Sequence, residues 1–370
     1  MHKKIKILFV LSNLRPSNGV ASFAMTYFRL LDKEKYQVDF SILYNYKSPY
    51  YDEIKKNGGS VFLLPSLKNP IKHFRACRKI ILENQYQIVH DNLLISSLPM
   101  MIEAKKNNTP VRILQSHNTK LSSIRWKRIR NKLALPFLKM TANTYFACSK
   151  AAGISMFGHA HFTVIPNTIS SDKFNYDSEK RALIREKYDC QNKKIIGTVA
   201  RVTWQKNPFF AVDVIEKLVK KDPNVQYWWV GSGELDNQLK KYINEKRLNE
   251  YIRIFGSIDD VSPLYQAMDM LFLPSLFEGL PVTSIEAQAA GLPCVISSSV
   301  TKELVYTNLV DFVSLDAPIS QWVDVIEKQL SRKLDRRKGF TSLINSSYYA
   351  PKAAEILDNK YNDLLVIGRK

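Results

Sequence analysis

The sequence lacks any run near the ~18 consecutive apolar residues of a membrane-spanning helix. It has only four cysteines, Cys77, Cys148, Cys190 and Cys294, far apart and with no CxxC pair. That spacing argues against a zinc site or a redox motif and fits reduced, buried thiols in a cytosolic chain. Six histidines form no HExxH pattern, and His159 and His161 read as loop residues. No GxGxxG follows the first apolar run, which argues against a dinucleotide dehydrogenase. No DxD pair is present, and no metal ligand set is expected. With 13 Gly and 16 Pro in 370 residues, the chain is neither collagenous nor of low complexity. The N-terminal run Ile5–Leu11 is only as long as a strand, ends at Ser12-Asn13 and has no cleavage site after it. It reads as a buried first strand, not a secretory leader.

Acidic residues are also scarce, but only in one half. The chain carries 54 Lys and Arg against 34 Asp and Glu, a net charge of +20. Residues 1–170 hold 26 basic and 8 acidic residues, a net +18, whereas residues 171–370 hold 28 and 26, a net +2. A bias spread evenly along the chain would not produce that split. An excess of this kind favours an anionic partner. Nucleic acid is not expected, because no zinc-finger or RNA-recognition signature accompanies the charge. The densest segment is Lys120–Pro136. Its Arg125, Trp126, Lys127, Arg128, Arg130 and Lys132 surround a stripe of Ile124, Ile129 and Leu133. A basic amphipathic helix with an aromatic suits an anionic membrane surface. The alternative is a surface helix that packs the same stripe on its own sheet.

The length predicts two domains. Strand-long apolar runs alternate with helix-period segments: Ile5–Leu11, Val38–Leu43, Val61–Leu64, Ile88–His90, Val111–Gln115 and Thr144–Cys148. A second series follows a charged stretch at 170–194: Ile195–Ala200, Tyr227–Val230, Ile252–Phe255, Met270–Pro274 and Pro293–Ile296. Near-continuous apolar strands separated by helices such as Val20–Leu31 and Pro208–Lys221 predict α/β architecture with parallel sheets covered on both faces. The tail 348–365 places Ala353, Ile356, Leu357, Tyr361, Leu364 and Leu365 at helical spacing, as a helix with one buried face.

The chemistry concentrates in 272–293, FLPSLFEGLPVTSIEAQAAGLP. A strand ends near Pro274. Gly279 lets the backbone turn or lie close to a ligand. Pro281 suits the first turn of a helix and Gly291 its C-terminal end. Glu278 then lies in the loop and Glu286 inside the helix, whose N-terminus can take an anionic oxygen. Carboxylates beside an anion site suit the hydroxyls of a sugar and a ribose. In 197–208, GTVARVTWQKNP, Arg201 follows a strand and Lys206 precedes a helix, a cation pair at the edge of the same sheet.

These residues resemble the EX7E signature of the family-4 retaining glycosyltransferases, with Arg201 and Lys206 matching that family's Arg/Lys pair. The resemblance extends over nearly the whole chain and includes Val230-Gly231-Ser232-Gly233-Glu234-Leu235 and Phe255-Gly256-Ser257. It is closest to bacterial enzymes of capsular polysaccharide and exopolysaccharide biosynthesis. It implies the GT-B fold, two Rossmann-like doubly wound domains facing a central cleft. Residues 1–170 would form the basic, membrane-facing acceptor domain and 171–345 the nucleotide-sugar domain. Residues 346–370 would form a helix that packs back on the first.

Carried over by position, the resemblance implies that Glu286 holds the nucleotide ribose and Glu278 the hydroxyls of the donor sugar. Arg201 and Lys206 would neutralise the departing diphosphate, helped by backbone at Gly279 and Leu280. Gly256, Ser257 and Ile258 would lie near the base, and His117 would face the donor sugar. His90 would stand on the acceptor side. Asn18-Gly19 replaces a glycine pair usual in the first βα turn, where Asn can tolerate a left-handed backbone, and the resemblance implies that both bind the donor through a close approach to its phosphate. The expected activity is retaining, metal-independent transfer of a hexosyl or N-acetylhexosaminyl group from a UDP-sugar to a lipid-linked glycan, with no cofactor. The expected place is the cytoplasmic face of the membrane, held peripherally. Other acceptors (a glycolipid, teichoic acid or protein glycan) and a role as a non-catalytic partner subunit stay open.

Overall fold

Because both faces of each central strand are covered, the strands are apolar at nearly every position. In β1 (Ile5–Leu11) the last five residues are buried. The structure, a computed structural model, describes residues 4–16, 18–119, 125–169 and 172–367. It divides the chain into two compact units, residues 1–168 with 350–370, and residues 169–349.

In the first unit, α1 (Gly19–Leu30) connects β1 to β2 (Tyr36–Ile42), and α2 (Tyr50–Lys56) leads to β3 (Val61–Leu63). Then α3 (Pro70–Asn84), β4 (Ile88–Asp91), α4 (Leu98–Lys106), β5 (Val111–Ser116), α5 (Arg125–Lys139), β6 (Thr144–Ala147), α6 (Lys150–Phe157) and β7 (Thr163–Val164) follow. All pairings are parallel, in the order β3-β2-β1-β4-β5-β6-β7. The sequence pattern misses β7, since two half-buried residues on an edge carry no periodicity.

The second unit begins inside the charged stretch read as the boundary. Residues Ser178–Lys187 form helix α7, with the Asp177 carboxylate capping its first amides. Arg181 and Arg185, one turn apart, both reach Asp269 at 2.5 Å. The remaining elements are β8 (Lys194–Val199), α8 (Pro208–Lys221), β9 (Val225–Val230), α9 (Asp236–Glu245), β10 (Ile252–Gly256), α10 (Ser262–Ala267), β11 (Met270–Leu273), α11 (Val282–Ala289), β12 (Cys294–Ser297), β13 (Val310–Val313), α12 (Ile319–Leu330) and α13 (Arg337–Ile344). The parallel sheet runs β10-β9-β8-β11-β12-β13. Strand β13 also escapes the sequence pattern, because it is half-buried and interrupted by Asp311. All four cysteines are buried, and no disulfide joins them.

The final helix, α14 (Ala350–Ile367), belongs to the first unit. Leu357, Tyr361 and Leu365 join the core under β1 and β2. Lys35 ties it to Asp358 at 2.7 Å. Two Rossmann-like parallel-sheet units thus make up the chain. In each, strand order reverses once, between β1 and β4 and between β8 and β11, and the loops at such switch points are where these sheets bind ligands.

Candidate functional site

Strands β8 and β11 are neighbours, so the loops that leave their carboxyl ends meet. The Leu276 amide donates to the Gln205 carbonyl at 2.8 Å. This contact brings Lys206 and Glu278 together as an ion pair, with little of either side chain exposed. The Gln205 amide nitrogen donates to the other Glu278 oxygen at 3.1 Å and to the Phe277 carbonyl at 2.9 Å. Both carboxylate oxygens are therefore held from one loop. Gln205 did not stand out in the sequence; its position next to Lys206 was the available signal. Gly279 and Leu280 are buried beside Glu278.

Arg201 is exposed, and no described carboxylate pairs with it. Its loop is clamped by the one after β9. Trp229 Nε1 donates to the Ala200 carbonyl at 2.9 Å, and the Leu235 amide to the Val202 carbonyl at 3.1 Å. Such closeness requires glycine: a Cβ on Gly233 would lie 2.1 Å from the Val202 carbonyl oxygen, and one on Gly231, at φ +135°, as close to that of Ala200. Gly233→Ala is therefore expected to push the Arg201 loop aside. It should lower stability by about 1–3 kcal/mol and turnover by about a hundredfold. Thermal melts and steady-state rates check this, and a variant with wild-type turnover would remove the clamp from the argument.

Glu286 stands on the first turns of α11, whose N-cap is Pro281, so the helix begins one residue later than a start with Pro281 in its first turn. Gly291, at φ +67°, follows the helix end, and a Cβ there would meet the Arg336 carbonyl oxygen at 2.2 Å. The Tyr265 hydroxyl donates to Glu286 at 2.8 Å. Burial pushes the Glu286 carboxyl up to about 7; the Tyr265 hydrogen bond opposes this and Asp260 adds to it. Tyr265, fully buried on α10, was not legible as a site residue, since no spacing links it to Glu286. Three buried hydroxyls around these loops, Thr203, Ser275 and Thr283, have no hydrogen-bond partner among the described residues. Gly256 takes φ +70°, and its carbonyl accepts from the Gly231 amide at 2.7 Å. Ser257 is exposed and Ile258 half-buried after it.

In the first unit, His117 directly follows β5. Its Nε2 lies 2.8 Å from the Asn92 side-chain oxygen. Since that oxygen can only accept, Nε2 carries the proton, and Nδ1 is left as a buried acceptor near the Asn167 side chain, with no well-aligned hydrogen bond among the described residues. Burial pushes the imidazole down to about 4, against the pull of Asn167, so the ring is neutral near pH 7.

Two expectations are corrected. His90 is not available to an acceptor: it is fully buried in the core. Its Nε2 lies 2.6 Å from Gln115 Oε1 and its Nδ1 2.7 Å from the Tyr361 hydroxyl, which pins α14 to β4. Burial drives it down to about 3. Asn18 does not adopt a left-handed backbone; φ is −96°. Its side chain caps α1, accepting from the amides of Val20 at 2.9 Å and Ala21 at 3.2 Å, so it occupies the amides that a phosphate would use. Gly19 is exposed and has open space where a Cβ would be.

Helix α5 exposes its stripe instead of packing it on the sheet. Trp126, Ile129, Leu133, Phe137 and Met140 are 55–70% exposed, while Leu138 is buried. Arg128, Arg130 and Lys132 are exposed beside them. The Arg125 and Lys127 side chains, and Ile124, lie outside the described residues. Among the described residues no group of three His, Cys, Asp or Glu could hold a metal ion.

Two Rossmann-like units with these connections define the GT-B class of glycosyltransferases. The comparisons agree. The family described as glycosyl transferases group 1 matches residues 180–339. A Bacillus subtilis (strain 168) protein named glycosyltransferase EpsF is 30% identical over 374 residues, covering 96% of each chain. The Escherichia coli UDP-Gal:alpha-D-GlcNAc-diphosphoundecaprenol alpha-1,3-galactosyltransferase is 25% identical, covering 99% of this chain and 98% of that one. The Staphylococcus aureus capsular polysaccharide biosynthesis glycosyltransferase CapH is 24% identical, covering 89% and 92%. Among solved structures, Anabaena Alr3699/HepE in complex with UDP and glucose shares the fold, with a TM-score of 0.78 at 15% identity over 97% of this chain and 99% of that one. The chain belongs to the glycosyl transferases group 1 family.

Proposed function

We propose that this glycosyltransferase moves a hexosyl or N-acetylhexosaminyl group from a UDP-sugar to a lipid-linked glycan, with retention at the anomeric carbon and without a metal ion, in the assembly of a capsular polysaccharide or exopolysaccharide. The observation that carries the reading is the Glu278 carboxylate, buried and held by Lys206 and Gln205 at the β8/β11 switch point, with Arg201 exposed in the same loop pair. The UDP and glucose of the Anabaena structure and the diphosphoundecaprenol substrate in the E. coli enzyme's name support the choice of donor and acceptor.

In this reading Glu286 accepts from the ribose hydroxyls and Glu278 from those of the sugar. The Ser275, Thr203 and Thr283 hydroxyls and the amides at the start of α11 face donor oxygens. Residues 256–258 border the base, and the neutral His117 accepts a sugar hydroxyl through Nδ1. Breaking the sugar–phosphate bond builds positive charge at C1 and negative charge on the leaving diphosphate. Arg201 and Lys206 stabilise that negative charge, as fixed donors do in an oxyanion hole. The leaving phosphate oxygen then takes the proton of the incoming hydroxyl on the same face, which retains configuration and needs no protein nucleophile. Helix α5 brings the enzyme to an anionic, cytoplasmic membrane surface; no helix among the described residues is long and apolar enough to cross one.

The test is release of UDP from a panel of UDP-sugars, with undecaprenyl-diphosphate saccharides as acceptors, with and without EDTA. Turnover is expected to survive EDTA and to fall by on the order of 10²–10³ in Arg201→Ala. Near-wild-type turnover in Arg201→Ala plus Lys206→Ala would refute the diphosphate role. Absence of turnover with every donor would favour a partner subunit without activity.

A further inference from the structure

Helix α5 is accompanied by a second exposed, basic and apolar feature on the same unit. Helix α3 buries His73, Cys77, Ile80 and Ile81. Its outer side carries Ile71, Phe74, Arg78 and Leu82, which follow one another at three- and four-residue intervals and so share one side of the helix. Ile71, Phe74 and Leu82 are 37–65% exposed, as are Leu63 at the end of β3 and Leu67 in the loop before the helix. Lys68, Lys72, Arg75, Arg78 and Lys79 surround them, all exposed. The one acidic residue of α3, Glu83, lies 3.9 Å from Lys79.

Topology puts this surface on the same face of the sheet as α5, with α4 between the two helices. From β3 the chain crosses to β4, then steps to β5 and β6, always in one direction across the sheet. Parallel crossovers are right-handed, so α3, α4 and α5 cover one face. Helix α4 packs against both α3 and α5. Its basic end reaches the residue that follows α5, Lys105 Nζ donating to the Met140 carbonyl at 2.8 Å. A patch of exposed leucine, isoleucine and phenylalanine on one such helix is costly in water, and two patches on one face exceed what scattered surface residues produce. Both are bordered by cations and nearly free of acids, which matches an anionic lipid surface in charge as well as polarity.

We propose that α3 and the loop leading into it form, together with α5, a two-helix docking face for an anionic bilayer, the apolar side chains entering the headgroup boundary and the basic ones meeting lipid phosphates. This rests on the reading that the enzyme works at a membrane through α5. Two contacts fix the orientation of the unit on the surface, where one helix would leave it free to roll about its own axis.

Flotation with vesicles of phosphatidylglycerol and phosphatidylcholine in equal parts, against phosphatidylcholine alone, tests it on the full-length protein. Wild type is expected to float with the anionic vesicles. Lys72→Gln plus Arg75→Gln plus Lys79→Gln is expected to lower partitioning on the order of a hundredfold, at about one kcal/mol per charge near the surface. Leu67→Ser plus Ile71→Ser should lower it by at least tenfold with an unchanged thermal melt. Lys217→Gln plus Lys240→Gln plus Lys241→Gln, the same charge change on the second unit, should leave it unaltered. Wild type floating while both α3 variants float equally well overturns the α3 contact and leaves α5 standing. Wild type that does not float overturns both, whereas UDP-sugar turnover reports on the transferase reading separately.

Discussion

Glu278→Ala is expected to lower turnover by on the order of 10²–10³ and to leave UDP affinity within a few fold of wild type. The nucleotide contacts proposed for Glu286, on α11, and Arg201, on the loop after β8, lie apart from Glu278, so the loss should fall on kcat and on discrimination between donor sugars. Stability should fall as well. Removing the carboxylate leaves Lys206 as a cation that is mostly buried, and an uncompensated charge of this kind costs about 3–5 kcal/mol when fully buried. The Lys206 side chain keeps 13% of its surface exposed, so a loss at or below the low end of that range is expected. Lys206→Ala takes the cation from Glu278, which keeps its hydrogen bond from Gln205, so a smaller loss is expected there. A double-mutant cycle separates the two roles. The double alanine variant should be less destabilised than the sum of the singles, because no charge is left unpaired. It should not recover turnover, because neither the sugar contact nor the phosphate cation returns. Urea denaturation and steady-state rates on the four proteins read both quantities. A double variant that keeps a tenth or more of wild-type turnover would exclude the pair from catalysis and leave it a structural ion pair.

The sheets were legible because parallel strands covered on both faces must be apolar at nearly every position, and β1, β8 and β11 are. The pattern failed at edges, where burial is partial: β7 is two residues long and β13 contains Asp311. The meeting of Glu278 and Lys206 was legible because residue type and loop position place an acid and a cation at the ends of neighbouring strands. His90 shows the limit of that argument. A histidine at a strand end has the same sequence signature whether it meets a ligand or a buried tyrosine, and Tyr361 lies 271 residues away in the chain. Gln205 and Tyr265 were invisible for the same reason. Each acts through one side-chain contact that crosses between elements, with no periodicity or spacing to record it. The apolar stripe of α5 was partly legible, but periodicity alone could not say whether it faced the sheet or water. Phe137 and Met140, at its far end, and the whole outer side of α3 became visible only through exposure.

Glu286→Gln is expected to weaken UDP binding by about 10- to 100-fold at pH 8, yet to make the empty protein more stable there. The two effects have one source. Burial raises the Glu286 carboxyl to about 7 from an ordinary value of 4.5. An acid whose pKa is raised by folding holds a proton that the unfolded chain releases. Its contribution to stability is then fully present below about 4.5 and is lost as pH rises through about 7. Above that, the folded protein carries a poorly solvated carboxylate, at a cost of about 3 kcal/mol. Glutamine keeps an acceptor for the Tyr265 hydroxyl and removes the charge, so its stability relative to wild type should climb between pH 5 and pH 8. In the proposed function the carboxylate that destabilises the empty protein is the form that accepts ribose hydroxyls, and hydrogen bonds to a charged group contribute about 1.5–3 kcal/mol. Wild-type UDP affinity should therefore rise from pH 6 to pH 8, as the bound ribose draws the carboxyl into its ionised form, and the variant should show a weak, flat profile. Calorimetric titration with UDP and urea denaturation across that pH range measure both. A variant that binds UDP as well as wild type at pH 8 would remove Glu286 from the ribose. A stability difference that does not grow with pH would place the raised carboxyl elsewhere.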